Sequence, residues 1–336
     1  NNIAAFITSG EKTSASLITA LSAQTFQDTV NTQLEDSLKV EVRDQNNVPL
    51  SGIPVFFRVT QGEGSLNIPQ PSDSNIFIET EWWSDLVAPM IQINDTSASG
   101  GSYIVSTDEG PAEGYAEYQF YVEKAGTYYF WGRTRWDGNY KHWDLRFELV
   151  GVNAPEGFTW HVQQTEGNTG GWTWGKIRNG DSGDTWFSHY LSQGLHTIKI
   201  WTQHKDVPLD EILLTLNPDP GVNPDNLGPT GAVFTNGSGQ ATVAWTLGKT
   251  ADDLSTPSVN EGLNTIVARP FGTDASVTFQ ATGIPAPPDS MHPSNLSQSG
   301  AAGTSVPIAV TLYDPYDNKV PNFPVIFEII KGTDGG

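Results

Sequence analysis

A repeat at one fixed offset constrains this chain more than any other feature. VEVRD at 40–44 is followed by a polar turn and then GIPVFF at 52–57. VTLYD at 310–314 is followed by a turn of equal length and then FPVIF at 323–327. Asp44 matches Asp314, Pro54 matches Pro324, Val55 matches Val325, Phe57 matches Phe327 and Gly62 matches Gly332, each pair 270 residues apart. Either side of its Asp/Asn turn, each copy alternates apolar and polar residues, the pattern of two strands with one buried face.

A sandwich built on such strands needs about 100 residues, so the period is too long for one unit. Roughly 150–170 residues must interrupt it. The first strand pair ends at GEGSL, 62–66, and a matching second half runs through TNGSGQATV at 235–243, GLNTIVA at 262–268 and ASVTFQA at 275–281. Residues 24–70 and 226–284 therefore read as one discontinuous sandwich. PAPPDSMHP at 285–293 reads as a short stiff linker. Residues 294–336 read as the first half of a second unit. Residues 1–23, with IAAFIT at 3–8, are left over. Two readings stand for them: the last strand of a preceding unit, or a strand donated to a neighbouring copy. The chain opens at Asn1 without a signal peptide, as a processed or partial product does.

These strands and their GIPVF, GEGSL and TNGSGQA motifs resemble the bacterial immunoglobulin-like domains of invasin- and intimin-type adhesins. The resemblance covers roughly residues 24–67, 228–284 and 294–336. It implies tandem Ig-like β-sandwiches that serve as a spacer or fibre at the cell surface.

Composition shifts at about residue 73. Ten of the eleven Trp, eight of the ten Tyr and five of the six His lie between 73 and 220. So many indoles exceed what a core needs, and they favour a surface where one face is apolar and one edge polar. The strand patterns at 76–81, 114–122, 126–133, 144–149, 194–201 and 209–215 predict a second all-β sandwich over 71–225, a jelly roll. IETE at 78–81, SASGGSYI at 97–104, AGTYYFWGR at 125–133, GWTWGKI at 171–177 and LDEILLT at 209–215 resemble the carbohydrate-binding modules of families 6 and 35.

That resemblance implies a structural calcium ion held by Glu79 and Glu81 on the first strand and Asp210 on the last. Calcium takes several hard oxygens, and two carboxylates two apart on a strand share a face. The resemblance also implies a sugar site of aromatic platforms beside planar hydrogen-bonding groups. The first candidate is the loop WDGNYKHW, with Trp136, Asp137, Asn139, Tyr140, His142 and Trp143. Trp172 and Trp174 are the second, two apart and so on one side of a strand. Lys205 and Asp206 are the third; they stand where the family has a ligand-contacting Asn before its last strand. Trp82 and Trp83 cap either a cavity or the core.

Other chemistries find little support. A balance of 17 Lys and Arg against 38 Asp and Glu gives a net charge of −21, which disfavours nucleic acid and anionic membranes as partners. No apolar run is long enough to span a bilayer. The absence of cysteine excludes disulfides and thiolate chemistry. GDSG at 180–183 lacks the His and Asp context of a serine nucleophile, and the histidines lack zinc spacing.

The sequence thus predicts an all-β, non-catalytic, extracellular or cell-surface protein. Its inserted jelly roll binds a polysaccharide or glycan by stacking and hydrogen bonds. In the alternative reading the insert packs laterally on neighbouring copies of the chain and mediates filament assembly.

Overall fold

A computed structural model of the chain describes residues 10–11, 14–70, 72–109, 114–135, 144–151, 157–161, 171–180, 185–218, 223–227, 231–253, 261–301 and 303–330. The fold is all-β, with only short 3-10 turns beside the strands among the described residues. No described helix is long and apolar enough to cross a membrane.

Two cores organise it. One gathers Leu38, Val40, Val42, Val55, Phe57, Ile266 and Phe279 around the fully buried Trp245. It lies between a three-stranded sheet, Leu17–Ala20, Leu38–Arg43 and Gln240–Val243, and a five-stranded sheet ordered Ala232–Phe234, Pro54–Gln61, Leu263–Pro270, Val277–Ile284 and Thr25–Thr29. The last two of these strands run parallel; the other pairings are antiparallel. Leu17–Ala20 pairs with Leu38–Arg43, so residues that sequence reasoning leaves ahead of the sandwich form one of its strands. A four-residue strand offers too short an alternation to stand out.

The repeated motifs have physical reasons. Asp44 Oδ1 accepts from Asn46 N and Val48 N at 2.8 Å each, and Asp314 Oδ1 accepts from Tyr316 N at 2.8 Å and Asn318 N at 2.9 Å. Each aspartate thereby closes its own turn. Thr235 Oγ1 donates to Leu50 O at 2.6 Å and accepts from Ile53 N at 2.9 Å. Gly62 has φ +81, and the space where Gly64 would carry a β-carbon is 2.8 Å from the indole nitrogen of Trp245. Only glycine suits either position.

The second core belongs to the strands between residues 75 and 215. One sheet runs Gly10–Glu11, Asp85–Val87, Tyr115–Val122, Gly194–Thr202, Asp144–Val150 and Phe158–His161. The other runs Trp172–Lys176, Gly126–Arg135, Leu209–Thr215, Ser102–Ser106 and Met90–Asn94, with Ser188–Leu191 and Asn75–Glu79 joined at its side. Tyr118, Phe120, Tyr128, Phe130, Phe147 and Trp160 fill the space between them. The first and last strands are neighbours: Asn75 pairs with Thr215, and Thr215 Oγ1 donates to Asn75 Oδ1 at 2.7 Å. The chain thus enters and leaves this body at one place, which suits an insertion into a loop.

In the second copy of the repeat, Val310–Tyr313 forms a strand against Ser290–Pro293. The expected strand over 323–327 does not form: its residues lie outside any sheet, with Ile326 94% exposed. Alternation alone does not make a strand without a neighbour to bond.

Candidate functional site

The described face of the second sheet carries an acidic patch and an aromatic shelf. The patch is set by strand register. Glu79 lies opposite Glu211, and Glu211 opposite Arg133. Opposed residues share a face. Between Arg133 and Thr134 the register slips, so that Thr134 faces Leu209 and Asp210 is the extra residue. This bulge re-aims the Asp210 side chain. The Asp210 carboxylate is ion-paired with the Arg133 guanidinium, and its Oδ2 also accepts from Ser99 N at 3.2 Å. Ser99 Oγ donates to Glu79 Oε1 at 2.7 Å. Glu81, in the turn after the first strand, places its carboxylate under Gly100, where any β-carbon would collide with it. The three residues expected to bind metal, Glu79, Glu81 and Asp210, thus lie around the single segment Ser99–Gly101.

Burial raises the acids. Asp210, completely buried, is pushed up to about 6 mainly by desolvation, against the opposing hydrogen bond from Ser99 and charge of Arg133. Glu79 and Glu211 are also raised, by desolvation first and then by neighbouring carboxylates. Glu79 Oε2 and Asp210 Oδ1 are buried without a hydrogen-bond partner. Among the described residues no three acidic or imidazole groups already close around one point. The donor set nevertheless fits a hard divalent cation: carboxylate oxygens, two of them unsatisfied, whose repulsion a positive charge would remove.

The shelf lies beside the patch. Trp172 faces Arg135 across the strand pair. The Arg135 guanidinium sits 4.7 Å from the Trp172 ring centre and 5.5 Å from that of Tyr103. Tyr103 and Trp172 meet at 5.2 Å. Trp172 Nε1 donates to Ser97 Oγ at 3.2 Å, Ser97 Oγ to Asp95 Oδ1 at 2.6 Å, and Arg135 Nη1 pairs with Asp95 Oδ2 at 2.7 Å. Hydrogen bonds from Ser97, aided by Arg135, pull Asp95 down to about 2. Trp174 is held differently: its Nε1 donates to Asp225 Oδ1 at 2.9 Å and its ring meets Phe77 edge-on at 6.3 Å. Both indoles are half-buried.

Lys205 is exposed, and Asp206 takes a left-handed conformation with φ +61 while its N–H donates to Ser106 O at 3.0 Å. Both stand at the end of the sandwich opposite Asn75 and Thr215, as do Arg135 and Asp144. The neighbouring His204 contacts Asp144 Oδ2 at 3.1 Å through Nε2. Trp136, Asp137, Asn139, Tyr140, His142 and Trp143 lie outside the described residues. Trp83 is buried in the core with its Nε1 donating to Gln92 Oε1 at 2.8 Å, whereas Trp82 turns towards the other sandwich.

Sequence reasoning missed Tyr103, Asp95, Ser97, Arg133, Arg135 and Glu211. Two signals pointed to Arg133, Arg135 and Glu211, and no local pattern to Tyr103, Asp95 or Ser97. Arg133 and Arg135 share the two-residue spacing of Trp172 and Trp174, and Glu211 is a charge inside a strand whose seven residues are all buried.

No family model matches the chain, and no curated protein matches it. Among solved structures it is similar to the family 35 carbohydrate binding module from Clostridium thermocellum, at 20% identity and TM-score 0.31, over 41% of this chain and 97% of that one. It is also similar to the C-terminal CBM6 of LamC, a marine laminarianse from Zobellia galactanivorans, at 14% identity and TM-score 0.31, over 42% and 98%. The Podospora anserina GH26-CBM35 β-(1,4)-mannanase is similar at 18% identity and TM-score 0.32, over 46% of this chain and 30% of that one.

Proposed function

We propose that residues 71–225 form a calcium-stabilised module that binds a polysaccharide or glycan reversibly, breaking no bond. Residues 24–70 with 226–284, and residues 294–336, are Ig-like units that display it outside the cell or on its surface. The observation that carries this reading is the half-buried shelf of Tyr103 and Trp172, with the Arg135 guanidinium over both rings and Asp95 paired to it. An indole face suits the C–H face of a pyranose, and the guanidinium and carboxylate offer planar hydrogen-bonding partners for hydroxyls. Lys205 and Asp206 extend the site at the distal end; Trp136, Asp137, Asn139, Tyr140, His142 and Trp143 are assigned to it from the sequence alone.

Calcium would be held by Glu79, Glu81 and Asp210. It would neutralise the patch and fix the Ser99–Gly101 turn, next to the Ser97 that positions Trp172. Many copies along a surface fibre would raise weak single-site affinity through avidity.

The test is a glycan array and polysaccharide pull-down with the whole chain, in calcium and in chelator, repeated with Trp172→Ala. Calcium-dependent binding that is lost in the variant supports the reading. Absence of binding to any plant, algal, microbial or host glycan overturns it in favour of an assembly role.

A further inference from the structure

The two sandwiches exchange parts where they meet. Phe271, which follows the strand Leu263–Pro270 of the discontinuous sandwich, packs against the core of the inserted module. In return Trp82 of the module enters a ring of phenylalanines on the other body: Phe271 at 5.0 Å, Phe234 at 6.1 Å and Phe56 at 6.2 Å between ring centres. Gly272, at φ +77, lies where an added β-carbon would be 3.5 Å from Gln119 O of the module.

Charge closes the same seam. Arg58 pairs with Asp73 at 2.8 Å, and its Nε lies 3.6 Å from Glu123 Oε1. Arg269 Nε approaches the same Glu123 oxygen at 3.4 Å, while its guanidinium covers the Tyr121 ring at 3.6 Å. The side chains of Arg58 and Arg269 are only 14% and 13% exposed. Glu123 is 22% exposed, so its pairs with the two arginines are screened less than surface ones, whereas Asp73 is 68% exposed.

The internal repeat supplies an independent observation. Along the strand Pro54–Gln61, the inward residues Val55 and Phe57 recur as Val325 and Phe327. The outward ones do not: Phe56 becomes Ile326 and Arg58 becomes Glu328. The inward pair thus belongs to the pattern the two copies share, and the outward pair does not. Phe56 and Arg58 are what the inserted module contacts, and a Glu in place of Arg58 would face Asp73 and Glu123 with like charge.

We infer that this seam, with Trp82 as plug and Arg58, Glu123 and Arg269 as clamp, fixes the inserted module to its host sandwich as one rigid arm. The module does not swing on its two connecting segments, and its distal loops point in one direction relative to the host. Independent motion is the usual behaviour of domains without a large apolar contact; here the contact is aromatic at its centre and charged at its rim. The inference does not depend on sugar binding.

The chain has no cysteine, so two introduced thiols label uniquely. Ser238→Cys on the host hairpin and Thr107→Cys near the distal end of the module, both exposed, carry spin labels for pulsed electron–electron distance measurement. The parent should give one narrow distance distribution. Arg58→Glu with Trp82→Ala should broaden it about twofold or more, towards the spread of linked, independent domains. Arg58→Glu alone, which leaves both cores intact, should broaden it less but measurably. A broad distribution in the parent overturns the inference. So does a parent-like width in the double variant, or in Arg58→Glu with its tryptophan fluorescence unchanged.

Discussion

The backbone of Gly100 lies directly over the Glu81 carboxylate and leaves no space for a β-carbon. Gly100 also has φ +63, which a side chain disfavours. Gly100→Ala should therefore displace Glu81 and the turn that carries Ser99. The expected outcome is a lower melting temperature in chelator and loss of the extra stability gained on adding calcium. Calorimetry with and without calcium reads both. A parent-sized calcium effect in the variant would remove Glu81 from the proposed metal site.

The acidic patch has a pH signature. Desolvation raises Asp210 to about 6, and raises Glu79 and Glu211 as well. A carboxyl with a higher pKa folded than unfolded keeps protons that the unfolded chain has released. Its favourable contribution is complete below the unfolded range of about 4 and declines as pH rises through the folded value. In chelator, stability from this patch should fall from about pH 4, the unfolded range, to about pH 9, the raised value of Glu211, and calcium should flatten the decline. Denaturant titrations across that range check it. A chelated protein whose stability rises over the same interval would contradict the assignment.

Trp172 and Trp174 should separate in their effects. Trp172 belongs to the shelf with Tyr103 and Arg135, whereas Trp174 is anchored to Asp225 and Phe77. Trp172→Ala should weaken glycan binding about tenfold or more, equivalent to about 1.4 kcal/mol. Trp174→Ala should act chiefly on stability. Titration calorimetry with the best array ligand distinguishes them, and equal binding losses would place Trp174 in the site too.

Gly132 abuts the six-membered ring of Trp160: a β-carbon there would sit 2.6 Å from the indole. Trp160 is fully buried and has no slack. Gly132→Ala should cost about 1–3 kcal/mol of stability, as overpacking does, measured by chemical denaturation. A neutral result would mean that the Trp160 ring moves freely.

Much of this was legible in the residues. The strands Leu209–Thr215 and Gly126–Arg135 stand out because alternating aromatics and aliphatics bracket them, and the recurrence of Asp44 as Asp314 marks a turn that a carboxylate must close. The acidic trio was expected from the resemblance; the strand spacing that paired Glu79 with Glu81 does not hold, because Glu81 sits in the turn after Asn75–Glu79. What stayed hidden depends on pairing between distant strands. Arg135 meets Trp172 only through the register of Gly126–Arg135 on Trp172–Lys176. Glu211 joins the patch through its register opposite Glu79 and Arg133, and Asp210 because a bulge turns it towards Arg133. Neither register nor bulge leaves a local pattern. The strand expected over 323–327 failed for the complementary reason: its alternation is sound, but no described strand lies beside it.

The parallel pairing of Thr25–Thr29 with Val277–Ile284 has a mechanical meaning. These are near the first and last strands of the discontinuous sandwich, and tension along the chain pulls the start of one against the end of the other. Parallel neighbours loaded in this way slide past each other, so their backbone hydrogen bonds bear the load together instead of opening one by one. The inserted module leaves the sandwich at a different edge, with both its ends side by side at Asn75 and Thr215. Tension along the chain would therefore be borne by the host, and the body between Asn75 and Thr215 would keep its shape until that shear contact fails.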